Sequence, residues 1–308
     1  MNRKVDEINH SKGRRANLDK NFNYLDEETK NDIVSYNVYE NRNFDKKVIN
    51  NKVFHHYYSN LKFYSLTESS VNYKINWLKK KCKKNLKVLD FACGNGENAF
   101  LAAKYDCIVD GIDISPDGIN FANKKKNEIL EGKNCNFQVM DGENLAFQEN
   151  SFDLAIEYGA LHHVDLDRTL SELARVLKKN GEMLCIETLK HNPIINWYRK
   201  KTPQMRTAYE VKHILGIENI TDFKKYFYNV EIKFFHLTSI IALPFRKTFF
   251  FRPLLKIFNL LDSLILKNSL IGKFAWIMIV ELKNPKKKLN CISSNLLKIS
   301  TINMILKL

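Results

Sequence analysis

The six cysteines, at 82, 93, 107, 135, 185 and 291, include no C-x-x-C pair, so neither a zinc knuckle nor a disulfide framework is indicated. They read as reduced, buried thiols of a cytosolic chain. The charged opening MNRKVDEINHSKGRR is followed by no apolar h-region, which argues against a secretory signal. Nowhere is there the run of about 18 apolar residues expected of a spanning helix; the greasiest stretch, ALPFRKTFFFRPLLKIFNLLDSLILKNSLIGKF, is broken by Arg, Lys and Asp. The net charge of +15, from 49 Lys and Arg against 34 Asp and Glu, favours encounter with an anionic partner. Yet the excess is mostly Lys among Asn, without an arginine cluster or an aromatic stacking platform, so a solvated surface explains it and a nucleic-acid substrate is disfavoured.

What is present is a regular alternation. LKVLDFA, CIVDGIDIS, CNFQVMD, FDLAIEYGAL and GEMLCIETL are short apolar strands. Between them lie helical stretches: ENAFLAAKY, PDGINFANKKKNEILEG and DLDRTLSELARVLKK. This predicts an α/β fold, a Rossmann-like doubly wound, mostly parallel sheet with its ligand across the carboxyl ends of the strands. A helix over 220–230, a strand VEIKFFHL and a strand WIMIVELKN extend the sheet to seven strands with an antiparallel edge strand.

Around that core the chain divides into parts. Residues 1–50 form a polar N-terminal arm, and 51–284 the ligand-binding domain. Within it an amphipathic, aromatic-rich helical extension leads into the first strand, 190–219 cap the ligand face, and an apolar helical insertion spans 243–275. Residues 285–308 are expected to be a weakly ordered tail. The insertion resembles an amphipathic element that packs on the domain, lies on a membrane, lines a greasy substrate channel or forms a dimer face. The expected assembly is a monomer or homodimer, cytoplasmic or peripheral to a membrane.

The loop KVLDFACGNGENAF carries the chemistry. Gly94 and Gly96 permit a tight turn, and the helix beginning near Glu97 offers unpaired N–H groups. A pyrophosphate site would want a third glycine and no acid in the turn. Here Asp90 and Glu97 would repel a phosphate and attract an ammonium. Asp113, 23 residues past Asp90, is placed to accept both hydroxyls of a ribose, and Asp141 to accept from an exocyclic amine. An amino acid joined to an adenosine fits this series of acceptors, whereas NAD fits only the ribose acid.

VLDFACGNG, GIDIS, VMDGENLAF, FDLAIEYGALHHV and ARVLKKNGEMLCIE resemble the successive motifs of the class I S-adenosylmethionine-dependent methyltransferases, in order and at the usual spacing over about residues 52–190. The resemblance extends to a bacterial small-molecule subgroup. It implies S-adenosyl-L-methionine as cofactor. Asp90 with the Gly94/Gly96 turn would hold the methionine moiety, Asp113 with Ile114 the ribose, and Asp141 with Gly142 and Met140 the adenine. Tyr158 would line the cofactor's substrate side. Ala92 occupies the first glycine of the family's loop, a modest departure provided the backbone there is not left-handed.

The implied reaction is an SN2 methyl transfer to a small molecule, with a hydroxyl of a sugar, polyketide-like or lipid-linked metabolite as the expected acceptor. Candidate bases are His162, His191 and Glu187. Asn192, Arg199, Arg206 and Tyr64 are candidate substrate residues. No metal site is expected. Methylation of RNA or protein is a second reading, although EYGA stands where a base-amine methyltransferase would carry its Asn-Pro-Pro-Tyr motif. A non-catalytic cofactor-binding scaffold is a third.

Overall fold

The computed structural model describes residues 63, 65–129, 134–202 and 208–287. The N-terminal arm at 1–50, Tyr64, Arg206, Cys291 and most of the tail lie outside the described residues. Helix α1 (Glu68–Lys81) leads into strand β1 (Lys87–Phe91), followed by α2 (Glu97–Ala103), β2 (Ile108–Asp113), α3 (Pro116–Ile129) and β3 (Cys135–Val139). Strand β4 (Phe152–Tyr158), a short 3-10 turn at Leu161–His163, α4 (Leu166–Val176) and β5 (Leu177–Thr188) complete the alternation.

The sheet has seven strands in the order β3-β2-β1-β4-β5-β7-β6, where β6 is Phe227–Phe235 and β7 is Ile277–Pro285. Strands β1 to β5 pair in parallel, while β7 runs antiparallel to both β5 and β6. The antiparallel strand therefore sits one place in from the edge, and β6 is the edge itself. The strand order reverses between β1 and β4, which is where an open α/β sheet leaves a crevice.

Residues such as Val88, Leu89, Ala155, Ile156, Leu184 and Cys185 are fully buried because helices cover both faces, so the inner strands read as continuous apolar runs. Asp165 starts α4 by accepting from the Arg168 backbone N–H at 3.0 Å, and Leu170, Leu173, Ala174 and Val176 turn its apolar side to the sheet.

Two boundaries differ from the sequence expectation. The segment LKK at 177–179 belongs to β5, not α4. The pairing jumps from Phe152↔Leu177 to Leu154↔Glu182, so Lys178–Gly181 is an excursion within the strand, held by Lys178 Nζ on Asp153 at 2.7 Å. The helix expected over 220–230 is α7 (Ile220–Tyr226), and β6 begins at once at Phe227.

Between β5 and α7 lie α5 (Pro193–Lys201), α6 (Ala208–His213) and a 3-10 turn at Ile217–Asn219. Between β6 and β7 lie a 3-10 segment (Ser239–Phe245), α8 (Phe251–Ile265) and α9 (Ser269–Gly272). The insertion and α5 share a small hydrophobic cluster containing Ile195, Tyr198, Ile240, Phe251 and Leu255. Of the tail, Pro285 ends β7 and Lys287 Nζ donates to the Ala174 carbonyl at 2.8 Å.

Candidate active site

The sheet twist and the β-α turns bring three carboxylates to the ends of β1, β2 and β3. Asp90 is fully buried. Its Oδ2 accepts from the Ala99 backbone N–H in α2 at 2.9 Å, while its Oδ1 is buried with no hydrogen-bond partner. Burial raises its pKa to about 7, against the opposing pull of the Ala99 N–H, Asn98 and Lys74. Lys74 is carried in by α1: its Nζ donates to Asn98 Oδ1 at 2.7 Å and stands 5.1 Å from the centre of the Tyr158 ring. Burial lowers its pKa in turn.

Asp113 is pinned by both oxygens. Oδ2 accepts from Gly94 N–H and Oδ1 from Ser115 N–H, each at 2.8 Å. A carboxylate has about four acceptor positions, so two backbone bonds fix its plane without using up its capacity. Burial raises its pKa as well. Ile114 follows it, and Met140 N–H donates to the Asp113 carbonyl at 3.0 Å, joining the β2 and β3 ends. Asp141 Oδ1 accepts from Glu143 N–H at 2.9 Å, a side-chain-closed turn.

The glycine-rich turn departs from the sequence expectation at one place. Ala92 has φ +52°, so the condition under which its methyl would be a modest departure is not met. The loop needs left-handed backbone at 92, 94 and 96, and an L-residue there costs roughly 1–2 kcal/mol. Gly94, at φ +49°, has open space where a Cβ would stand, with nothing within 4 Å. Gly142 has a packing reason to be glycine: a Cβ there would come within 2.4 Å of the Phe91 ring.

A second polar group occupies the ends of β4 and β5. Glu187 Oε2 accepts from His162 Nδ1 at 2.6 Å, and Oε1 from Leu161 N–H at 2.6 Å. Beside it, fully buried Glu157 accepts from Ala160 N–H. Strand register puts Asp90, paired with Gly111, on one face with Asp113. It puts Glu157, paired with Phe91 and Cys185, on the other face with Glu187. Both groups are at the carboxyl edge, on opposite sides of the crevice.

Burial brings Glu187 up to about 7. Burial and the Glu187 charge push Glu157 well above the usual carboxylate range, so Glu157 holds the proton that two adjacent buried carboxylates must share. His163 stacks near His162, with ring centres 4.2 Å apart, and burial keeps it neutral. Sequence reasoning passed over Glu157. The signal was a second acid that follows the apolar run LAI within the strand FDLAIEY.

Other expected site residues are engaged elsewhere. His191 makes no contact with His162 or Glu187 that the structure records; it is half-buried, its Nε2 3.5 Å from Glu218. Asn192 is buried at the start of α5, where Oδ1 caps the Ile195 N–H at 2.9 Å and Nδ2 donates to the Phe274 carbonyl at 2.8 Å. Arg199 donates to the Leu189 carbonyl and Asn196 Oδ1 at 2.9 Å and to Thr188 Oγ1 at 2.6 Å, bracing the end of β5. These bonds give Asn192 and Arg199 structural work at the start of α5 and the end of β5. Among the described residues no group of three or more His, Cys, Asp and Glu is placed to hold a metal ion.

A seven-stranded sheet of this order, with acids at the ends of its first three strands and a left-handed turn after β1, defines the class I methyltransferase fold. Residues 89–185 match the family model described as a methyltransferase domain. Residues 89–185 thus carry a methyltransferase domain on the fold of the class I enzymes, a class whose methyl donor is S-adenosyl-L-methionine.

Among curated proteins, the ubiquinone/menaquinone biosynthesis C-methyltransferase UbiE of Campylobacter jejuni is 34% identical over 132 residues, 38% of this chain and 54% of that protein. Sterol 4-C-methyltransferase strm-1 of Caenorhabditis elegans is 23% identical over 137 residues, 44% of this chain and 40% of that protein. The chain thus spans about half the length of the curated relatives it matches. Among solved structures, phosphoethanolamine N-methyltransferase 2 of Haemonchus contortus, in complex with S-adenosyl-L-methionine, superposes with a TM-score of 0.51 at 20% identity. That match covers 70% of this chain and 53% of the other, a likeness of fold.

Proposed function

We propose that this chain transfers a methyl group from S-adenosylmethionine to a small molecule whose nucleophilic atom is a hydroxyl oxygen, or a carbon made nucleophilic by one. The residues fit the cofactor on three counts. Asp90 keeps a buried oxygen without a partner where an ammonium would sit. Gly94 leaves open space beside the chain. Asp113 is held rigid by backbone donors at the place where a ribose is held in such folds. Asp141 and Met140 would flank the adenine. When bound, the cofactor supplies a methyl group made electrophilic by its sulfonium.

The observation that carries the reaction type is the 2.6 Å bond between Glu187 and His162 across the crevice from Asp90 and Asp113. Glu187 fixes the imidazole with Nδ1 protonated, which leaves Nε2 as the basic nitrogen. A histidine oriented in this way can take the proton of a hydroxyl as its oxygen attacks, a role worth about 10²–10⁴ in rate. Glu157 keeps its own proton and so prevents a second negative charge from building beside Glu187. Carbon methylation, which the names of the curated relatives specify for those proteins, uses the same base on an ionisable hydroxyl next to the reacting carbon.

The test is methyl transfer itself. The full chain is incubated with the cofactor and phenolic or other hydroxylated apolar acceptors, and products are sought 14 daltons heavier by mass spectrometry, the mass of a CH₂ gain. Replacing His162 by Gln is expected to lower turnover about 10²-fold or more with cofactor affinity kept. Turnover unchanged in that variant would remove His162 as the base.

A further inference from the structure

Helix α8 has two apolar sides where a domain helix needs one. Phe251 and Leu255 point inward and are buried, together with Asp262. Ile257, Leu260, Leu261 and Leu264 recur at i, i+3, i+4 and i+7 on a different side, and they are 60%, 66%, 39% and 59% exposed. At the N-terminal end of the helix, Phe249 and Phe250 are 79% and 51% exposed, and Leu270 just beyond it is 71% exposed. So large a contiguous run of outward apolar side chains is uncommon on a monomer surface and marks a contact.

The exposed charges that this segment itself carries are all basic. Between Ser239 and Trp276 the sequence holds six basic residues, Arg246, Lys247, Arg252, Lys256, Lys267 and Lys273, and a single acid, Asp262. That acid is turned inward. Its carboxylate accepts the Thr238 N–H and Oγ1 at 2.7 Å and the Leu237 and Ser239 N–H at 3.2 Å, which fastens α8 to the end of β6. Arg252 forms an exposed pair with Glu68 at 2.9 Å. At 100° per residue, Arg252 and Lys256 lie beside the outward apolar stripe, and Lys267 follows just past the end of the helix. No helix among the described residues is long and apolar enough to cross a membrane, so this element can lie on a bilayer without spanning it.

We propose that the outward face of α8, with the Phe249–Phe250 tip, docks this protein onto an anionic lipid surface. The apolar side chains enter the headgroup and acyl boundary, and the flanking Lys and Arg meet lipid phosphates. A helix that pairs an apolar stripe with a basic margin and shows no exposed acid matches that surface in both polarity and charge. The proposal concerns where the protein sits and stands or falls independently of the methyl acceptor.

The test is co-sedimentation of the full chain with vesicles containing phosphatidylglycerol, with pure phosphatidylcholine vesicles as control. Retention is expected on the anionic vesicles, weaker on the neutral ones and falling as salt rises. The double substitution Leu260→Glu with Leu264→Glu changes only exposed side chains. It is expected to reduce retention about tenfold or more with the melting temperature and cofactor binding unchanged. Failure of the unsubstituted chain to bind anionic vesicles overturns the proposal, as does equal retention of the double variant. A dimer in light scattering that the same substitutions dissociate, without vesicle retention, would make the face a contact between copies and overturn it too.

Discussion

Ala92 and Asp90 show how single residues set the turn after β1. Ala92 holds a left-handed backbone that glycine adopts freely, so Ala92→Gly is expected to raise stability by up to about 1 kcal/mol, the relief being partly offset by a more flexible unfolded chain. Chemical denaturation measures it. Nothing in the string DFACGNG announced the positive φ at 92; it was legible only through the position Ala92 shares with the family's first glycine. Asp90, by contrast, was legible directly as an acid closing an apolar strand. Its pKa of about 7 lies above the ordinary carboxylate value, so its contribution to ligand-free stability is present below about pH 4 and lost as pH rises through 7. A cationic ligand beside it favours the ionised form. Cofactor affinity is therefore expected to rise with pH between about 5 and 7, with release of up to about one proton. Calorimetry in buffers of different ionisation enthalpy reads both, and Asp90→Asn should flatten the slope.

At the scale of elements, periodicity located nearly every strand and helix from β1 to α4, because the inner strands are buried on both faces and each helix on one. Boundaries failed where a tertiary contact decides them, as at Lys178–Gly181, whose excursion depends on pairing with β4. The cap region was harder to read for a related reason. Asn192 and Arg199 are polar residues near a ligand face, and sequence cannot distinguish a ligand contact from a helix cap or a strand brace. The 3-10 segment and α8 are joined through Asp262, a lone acid in an apolar helix that could be read as a mere interruption. Asp262→Ala would leave the Leu237, Thr238 and Ser239 donors without their acceptor and is expected to cost about 3 kcal/mol. Thermal or urea unfolding checks this; a change below about 0.5 kcal/mol would deny the insertion its anchor.

For the whole molecule, two polar groups on opposite faces of one sheet meet at its carboxyl edge, the half with Asp90, Asp113 and Asp141 that we propose holds the cofactor and the half with Glu157, Glu187 and His162 that we propose handles the proton. The first half was readable as spaced acids because each follows its own strand. The second was readable only in part, since Glu157 and Glu187, 30 residues apart in sequence, are brought together only by the pairing of β4 with β5. The overall charge of +15 does not report on this crevice, whose buried groups are mainly acidic; it belongs to the outer surface. The central claim is that the acids of the first half hold S-adenosylmethionine. Titration calorimetry of the full chain with S-adenosylmethionine and its demethylated product, repeated with Asp113→Asn, tests it most directly. Binding tighter than about millimolar is predicted, weakened about tenfold or more in the variant by loss of a charged hydrogen-bond acceptor. No binding by the unsubstituted chain, or equal affinity in the variant, would contradict it.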